Sequence, residues 1–221
     1  MKKLQILMIS LTALLLLCGC RKIETEYRYE DLGLSVKWAK VNVGAIAYND
    51  YGDHFAWGEI AAKDSYTDTN YKWFDDKGRI TKYCSDESCG RTDFRLELEA
   101  EDDAATVLWG SGWRIPTLEE FLELVRNCTW IWSSANGVHG YKVVSNVPGY
   151  EGRYIFLPAA GICSRKGEGV GDVGCYWTSD NCGEADSALS ECVVFDMTKV
   201  STVASGGLKR EIGVSVRPVC K

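Results

Sequence analysis

Thr117-Leu118-Glu119-Glu120-Phe121-Leu122-Glu123-Leu124-Val125-Arg126-Asn127 is the stretch whose reading decides the fold. Thr117 and Glu120 form a capping box, in which a hydroxyl and a carboxylate three residues apart satisfy the free N–H groups of a helix start. Leu118, Phe121, Leu122 and Val125 recur at i, i+3, i+4 and i+7, so the spacing predicts a helix over 117–127 with one apolar face. The period then changes. Thr129–Ser133 and Val138–Ser145 flank Asn136-Gly137, a dipeptide that tolerates positive φ and so suits a two-residue hairpin. Further short strands are expected at Tyr154–Leu157, Tyr176–Thr178, Val193–Met197 and Val214–Val219. Pro158 and Pro218 belong at strand ends or edges, because proline cannot donate to a ladder.

Upstream of the helix, Leu34–Trp38 and His54–Gly58 read as short strands rich in aromatics and valine. Residues 63–93 are polar, spotted with aromatics and without clear period, which predicts a long surface excursion. Glu101-Asp102-Asp103 opens a second short helix through Trp109, with acids at its positive end and Gly110 just beyond it. That triplet reads as a solvated helix start rather than a calcium site. Helices come early and strands then follow in succession. This order predicts an α+β domain, two short helices packed on a mostly antiparallel, meandering sheet with long loops. The glycine-rich segment Gly161–Gly183 is expected to be dominated by loops.

The N-terminus belongs to a different physics. Lys2 and Lys3 precede an almost unbroken apolar run from Leu4 to Leu17, too short to span a bilayer and suited to a signal peptide. It ends in Leu17-Cys18-Gly19-Cys20, which resembles a bacterial lipobox. Residues 1–19 are therefore expected to be removed and Cys20 lipidated, with 20–31 as a tether and 32–221 as one domain. Several acyl chains on one cysteine suffice for stable anchoring. Loss of the two lysines leaves 23 basic and 31 acidic groups, a net charge of −8. That balance argues against nucleic acid and against anionic membrane surfaces as partners. Arg21 follows the lipidated cysteine, where an aspartate would favour inner-membrane retention, so the outer membrane is expected, facing outward or inward.

Of the ten cysteines, Cys84, Cys89, Cys128, Cys163, Cys175, Cys182, Cys192 and Cys220 remain for the domain. An even number in an oxidising compartment predicts disulfides. A zinc site is disfavoured, because close C-x-x-C pairs and histidine ligands are both missing.

Several strings resemble the Fibrobacter succinogenes major paralogous domain of Bacteroidetes-type lipoproteins. They are Asp31-Leu32-Gly33-Leu34-Ser35-Val36-Lys37-Trp38-Ala39, Phe55-Ala56-Trp57-Gly58-Glu59 and Asp102-Asp103-Ala104-Ala105. Trp109-Gly110-Ser111-Gly112-Trp113-Arg114-Ile115-Pro116-Thr117 and Asn127-Cys128-Thr129-Trp130 follow, then Phe156-Leu157-Pro158-Ala159-Ala160-Gly161, Tyr176-Trp177-Thr178-Ser179 and Ser215-Val216-Arg217-Pro218-Val219. The resemblance covers residues 31–219. It implies a C-type-lectin-like fold, shared with formylglycine-generating enzymes, and a Cys84–Cys128 disulfide. Cys182–Cys192 and Cys163–Cys175 are further pairings considered among the 105 that eight cysteines allow. Trp113, Arg114 and Pro116 are read as scaffold: Trp113 in the core, Pro116 stiffening the helix entry, Arg114 bonded to a carbonyl or carboxylate.

Catalysis finds little support. His54 and His139 are the only histidines and neither sits in a nucleophile or metal motif. The chain is therefore expected to be a non-catalytic binding module that needs no cofactor or metal, with a surface-coat or adhesin subunit as the alternative and a formylglycine-generating-type enzyme as a more distant one. The expected recognition surface lies in the late loops, where Arg165, Glu168, Asp172, Tyr176, Trp177, Asp180, Asn181, Glu184 and Asp186 combine aromatic, carboxylate and amide groups for a glycan or protein ligand. The calcium-lectin triplets Glu-Pro-Asn and Trp-Asn-Asp are absent. Asp186-Ser187-Ala188 resembles a short O-glycosylation motif, with Ser187 as acceptor.

Overall fold

The computed structural model describes residues 28–164, 167–183, 189–202 and 207–221. The leader, Cys20, Arg165, Glu184, Asp186 and Ser187 lie outside the described residues. Among them no helix is long and apolar enough to cross a membrane.

Both helices form where local chemistry places them. Helix α1 (Ala104–Trp109) is capped by Asp103, whose side chain accepts the Thr106 N–H at 2.9 Å, and ends at Gly110 with φ 99°. Helix α2 (Leu118–Asn127) carries the full capping box: the Thr117 hydroxyl accepts from Glu120 N at 3.2 Å and the Glu120 carboxylate accepts from Thr117 N at 2.9 Å. Its buried face centres on Phe121 and Leu124, with Leu118, Leu122 and Val125 half-buried at the margins. The apolar stripe is broader than the four expected positions because Leu124 joins Phe121 in the core. Phe121 meets Trp38 edge-on at 4.8 Å and Tyr176 at 6.4 Å.

Strands β1 (Tyr29–Glu30), β2 (Lys37–Ala39) and β3 (His54–Phe55) precede the helices. Tyr29 pairs with Ala39, so the last residues of the expected tether are already part of a sheet. After α2 come β4 (Cys128–Ala135), β5 (Val138–Ser145) and β6 (Tyr154–Pro158), an antiparallel meander. Its first turn is the expected one, with Asn136 at φ 51° and Gly137 at φ 84°. A small hairpin joins β7 (Ile162–Cys163) to β8 (Gly167–Glu168). The largest sheet, in the order β11-β10-β9-β13-β3, uses β9 (Val173–Asn181), β10 (Leu189–Asp196), β11 (Val200–Thr202) and β13 (Val214–Ser215), with β12 (Leu208–Lys209) also on β10. Strand β14 (Val219–Cys220) closes on β2. Among the named strands pairing is antiparallel apart from β9 with β13, so the described residues form an α+β arrangement with mostly antiparallel sheets.

The segment expected to be mostly loop contains the central strand. Along β9, Tyr176 enters one core with Trp38, Phe121, Leu124, Val143 and Phe195. Its neighbours Cys175 and Trp177 enter a second core with Phe55, Trp57, Tyr83, Ile115 and Val214. Strand β10 divides in the same way, Val193 and Phe195 to one side, Cys192 and Val194 to the other. Burial on both faces removes the alternation that marks a half-exposed strand. Gly174 fits the same arrangement, because the Phe195 ring lies where a side chain at 174 would begin.

Two buried guanidinium groups bind the elements together. Arg217 donates to Asn42 Oδ1 at 2.8 Å, to the Ala39 carbonyl at 2.9 Å and to the Phe156 carbonyl at 2.8 Å. Arg210 donates to the carbonyls of Tyr83 and Leu189 and lies over the Trp57 ring at 4.7 Å. The 63–93 excursion keeps its expected irregular form, with one 3₁₀ turn at Asp68–Asn70.

Candidate functional site

An open cleft of about 370 Å³ lies where the excursion meets the late loops. Tyr66, Thr67 and Asp68 form one wall, Ser164 and Glu168 of the β7–β8 hairpin a second, and Lys209, Glu211 and Ile212 a third. Backbone bonds fix these walls relative to one another. Tyr66 N donates to Ser164 O at 3.0 Å, and Cys163 and Gly213 exchange both N–H···O bonds at 2.7 and 2.8 Å. The Tyr66 ring packs directly against Gly213, where a side chain would collide with it. Its hydroxyl donates to the His54 carbonyl and accepts from Lys63 N. Burial pushes this phenol up to about 12, so Tyr66 shapes the cleft as a neutral group.

The polar groups facing the opening are chemically mixed. Asp68, Glu168 and Lys209 are exposed, and Lys209 Nζ lies 3.7 Å from Glu211 Oε1. Ser164 Oγ lies 3.5 Å from Glu168 Oε1, at the limit of hydrogen bonding. Carboxylates that accept, an ammonium that donates and hydroxyls that do both suit a ligand dense in hydroxyl groups.

The residues expected to bind ligand are mostly placed elsewhere. Tyr176 and Trp177 are fully buried, their polar atoms donating to Pro158 O and Phe55 O at 2.8 Å. Asn181 is buried too, and its amide donates to Arg95 O at 2.7 Å. These three are core, because the strand that carries them is covered on both sides. Asp180 accepts the Leu118 N–H at 2.7 Å and so anchors the start of α2 to β9. Asp172 is exposed in the turn before β9. Of the late-loop candidates, Glu168 alone lines the cleft among the described residues.

In the Trp113–Pro116 string Arg114 bonds a carboxylate as expected, and Trp113 departs from expectation. Trp113 is half-buried and stands edge-on to Trp109 at 5.2 Å rather than filling the core. Arg114 makes a two-pronged bond to the Glu120 carboxylate, and the Pro116 carbonyl accepts from Ser179 N at 2.9 Å.

No bond joins any two of the eight described cysteines in this structure. The structure does not join the expected Cys84–Cys128 pair: the Cys84 thiol donates to Asp86 O at 3.0 Å, whereas Cys128 packs in the core beneath α2. Burial and the nearby Glu123 carboxylate push the Cys128 thiol up to about 11. Cys163 packs with Tyr66 and Tyr71, while Cys175 contacts Cys192, so the Cys163–Cys175 pairing is not formed either. Cys182 lies near Cys192 without a bond to it.

Glu99, Glu101 and Asp102 lie within 4.8 Å of one another. Lys82 Nζ reaches all three, at 2.5, 3.2 and 2.6 Å, and Lys72 Nζ meets Asp102 at 2.9 Å. The place a cation would take is held by the chain's own ammonium groups. His54 and His139 face backbone carbonyls, those of Ala160 and Gly171, each at 3.2 Å.

No family model, curated protein or solved structure matches the chain.

Proposed function

We propose that this chain is an outer-membrane lipoprotein, anchored through Cys20, whose C-type-lectin-like domain binds an extracellular glycan in the Tyr66–Glu168–Lys209 cleft. The observation that carries the reading is the convergence of three loop segments, distant in sequence, on one polar opening held by a rigid frame. Loops positioned by a scaffold commonly carry recognition. The mixture of carboxylates, hydroxyls and one ammonium favours a polyhydroxylated ligand over an apolar one. A non-catalytic role is supported by both histidines being turned to backbone carbonyls.

A glycan array probed with a soluble chain beginning at Arg28 tests the binding. A saturable hit that weakens at least tenfold in Glu168→Ala or Lys209→Ala supports the cleft. A hit that both variants leave unchanged removes it, and a blank array turns the balance to the surface-coat alternative. The anchor is tested separately: Cys20→Ser should release the chain from the membrane fraction.

A further inference from the structure

Strand β9 carries Cys175, β10 carries Cys192, and Cys182 directly follows β9. Cys175 lies opposite Val194, and Cys192 lies opposite Trp177, so the two cysteines are diagonal neighbours. Both project into the second core, where Cys175 and Cys192 are buried together with Trp57, Trp177 and Val214. The two thiols face each other in that core, close enough for Cys192 to raise the Cys175 thiol. Diagonal cross-strand neighbours on one face lie about 7–8 Å apart, just beyond a disulfide's Cα span of about 4.4–6.8 Å, so closing the bond draws the two strands slightly together.

Cys182 stands apart from this pair. It lies beyond the register shift between Ser190 and Cys192, with its N–H directed to Leu189 O at 3.3 Å. Its side chain is half-buried, bonded to the Glu191 side chain and packed against Gly207. Bridging to Cys192 requires it to leave both contacts. Burial first, and then the Glu191 carboxylate, push this thiol up to about 12, which makes it a poor attacking group in the folded chain.

We infer that Cys175 and Cys192 close a disulfide across the β9–β10 hairpin and that Cys182 remains a thiol beside it. The bond is made while the hairpin is still open to solvent, since both sulfurs are covered once the second core has closed. A protein or small-molecule disulfide is the oxidant. One cysteine thiolate attacks it, forming a mixed disulfide and releasing one donor thiol. The second cysteine thiolate then attacks the mixed disulfide at the protein sulfur, closing Cys175–Cys192 and releasing the other donor thiol. Two thiol protons leave the protein, and two electrons pass to the donor. In the cell this rests on the exported location proposed above; the chemistry of the pair does not.

The full chain, reduced in denaturant and refolded with reduced and oxidised glutathione, is alkylated in acid and cut with chymotrypsin and a glutamate-specific protease. Cleavage at Tyr176, Trp177, Glu184 and Glu191 places the three cysteines on separate peptides. The expected product joins the Cys175 and Cys192 peptides, with Cys182 alkylated. It persists in Cys182→Ala and disappears in Cys175→Ala, where Cys192 becomes alkylated. In a melt, reductant should lower the midpoint of the wild-type chain by about 10 °C and leave that of the Cys175→Ala, Cys192→Ala double variant unchanged. A Cys182–Cys192 product, or full alkylation of both Cys175 and Cys192 after refolding, overturns the inference. If the refolded chain shows the bond and chain isolated from cells shows both thiols free, the pairing stands and the exported location falls.

Discussion

Trp57 and Trp177 exchange hydrogen bonds across the second core: the Trp57 indole donates to Thr178 O at 2.9 Å, and the Trp177 indole donates to Phe55 O at 2.8 Å. Each ring thus fills apolar space and holds the other's stretch of backbone. The residue expected to meet a ligand is in fact half of an internal clasp.

Trp177→Phe keeps most of the ring and removes the donor, leaving the Phe55 carbonyl short of a partner. The expected loss is about 1–3 kcal/mol of unfolding free energy, read as a lower urea midpoint with an unchanged slope. Glycan binding, measured well below that midpoint, should not change. A selective loss of binding in a chain of full stability would return Trp177 to the binding surface.

Glu168→Ala and Lys209→Ala should behave in the opposite way. Both side chains are exposed, and the Lys209–Glu211 contact is long, so stability should move by no more than about 0.5 kcal/mol. Calorimetric titration with the glycan found on the array should show the loss instead.

Arg217→Met replaces a buried guanidinium by an apolar chain of similar length. Ala39 O, Phe156 O and Asn42 Oδ1 would each lose a donor. At about 1–3 kcal/mol for a buried acceptor left unpaired, the variant should lose at least about 3 kcal/mol. Arg217→Lys should rescue little, because one ammonium cannot reproduce the guanidinium fork. Denaturant melts of the two variants decide this, and near-wild-type stability in either would remove the clamp.

Acid should loosen the Lys82 cluster. Burial alone would raise the Asp102 carboxyl, but hydrogen bonds from Lys82, Lys72 and Tyr83 outweigh it and hold the group below the ordinary carboxylate range. A depressed acid contributes stability that is fully present above its unfolded value, about 3.9, and is lost as pH falls through the lower folded value. Asp102→Asn should therefore melt earlier than wild type at pH 7, with the difference closing as pH approaches about 2. A constant gap across that range would show that the cluster's charge contributes nothing.

How much of this was legible depended on how local the signal was. The capping box at Thr117 and Glu120 and the Asn136-Gly137 turn are written within four residues, and both appear as expected. Strand β9 was not legible at full length. Its two buried faces erase the period of two, and the glycines around Gly161–Gly174 mimic a loop. A reading of the sequence alone puts Tyr176 and Trp177 on the surface for that reason. The cleft was legible only at Glu168, since its walls come from residues 66–68, 164–168 and 209–212, which no sequence window joins. Arg210 and Arg217 gave no signal either, because the backbone carbonyls they bind are carried by every residue and leave no mark in the sequence.

The β9–β10 hairpin is a party wall with a room on each side. Neither room has a wall of its own there, so one cannot be emptied while the other stays furnished. Heating should accordingly give a single transition for the whole domain, with calorimetric and van't Hoff enthalpies in agreement. The same sharing explains where sequence drift has freedom: inward-facing positions on these strands answer to two neighbourhoods at once, and the cleft is assembled from segments outside them.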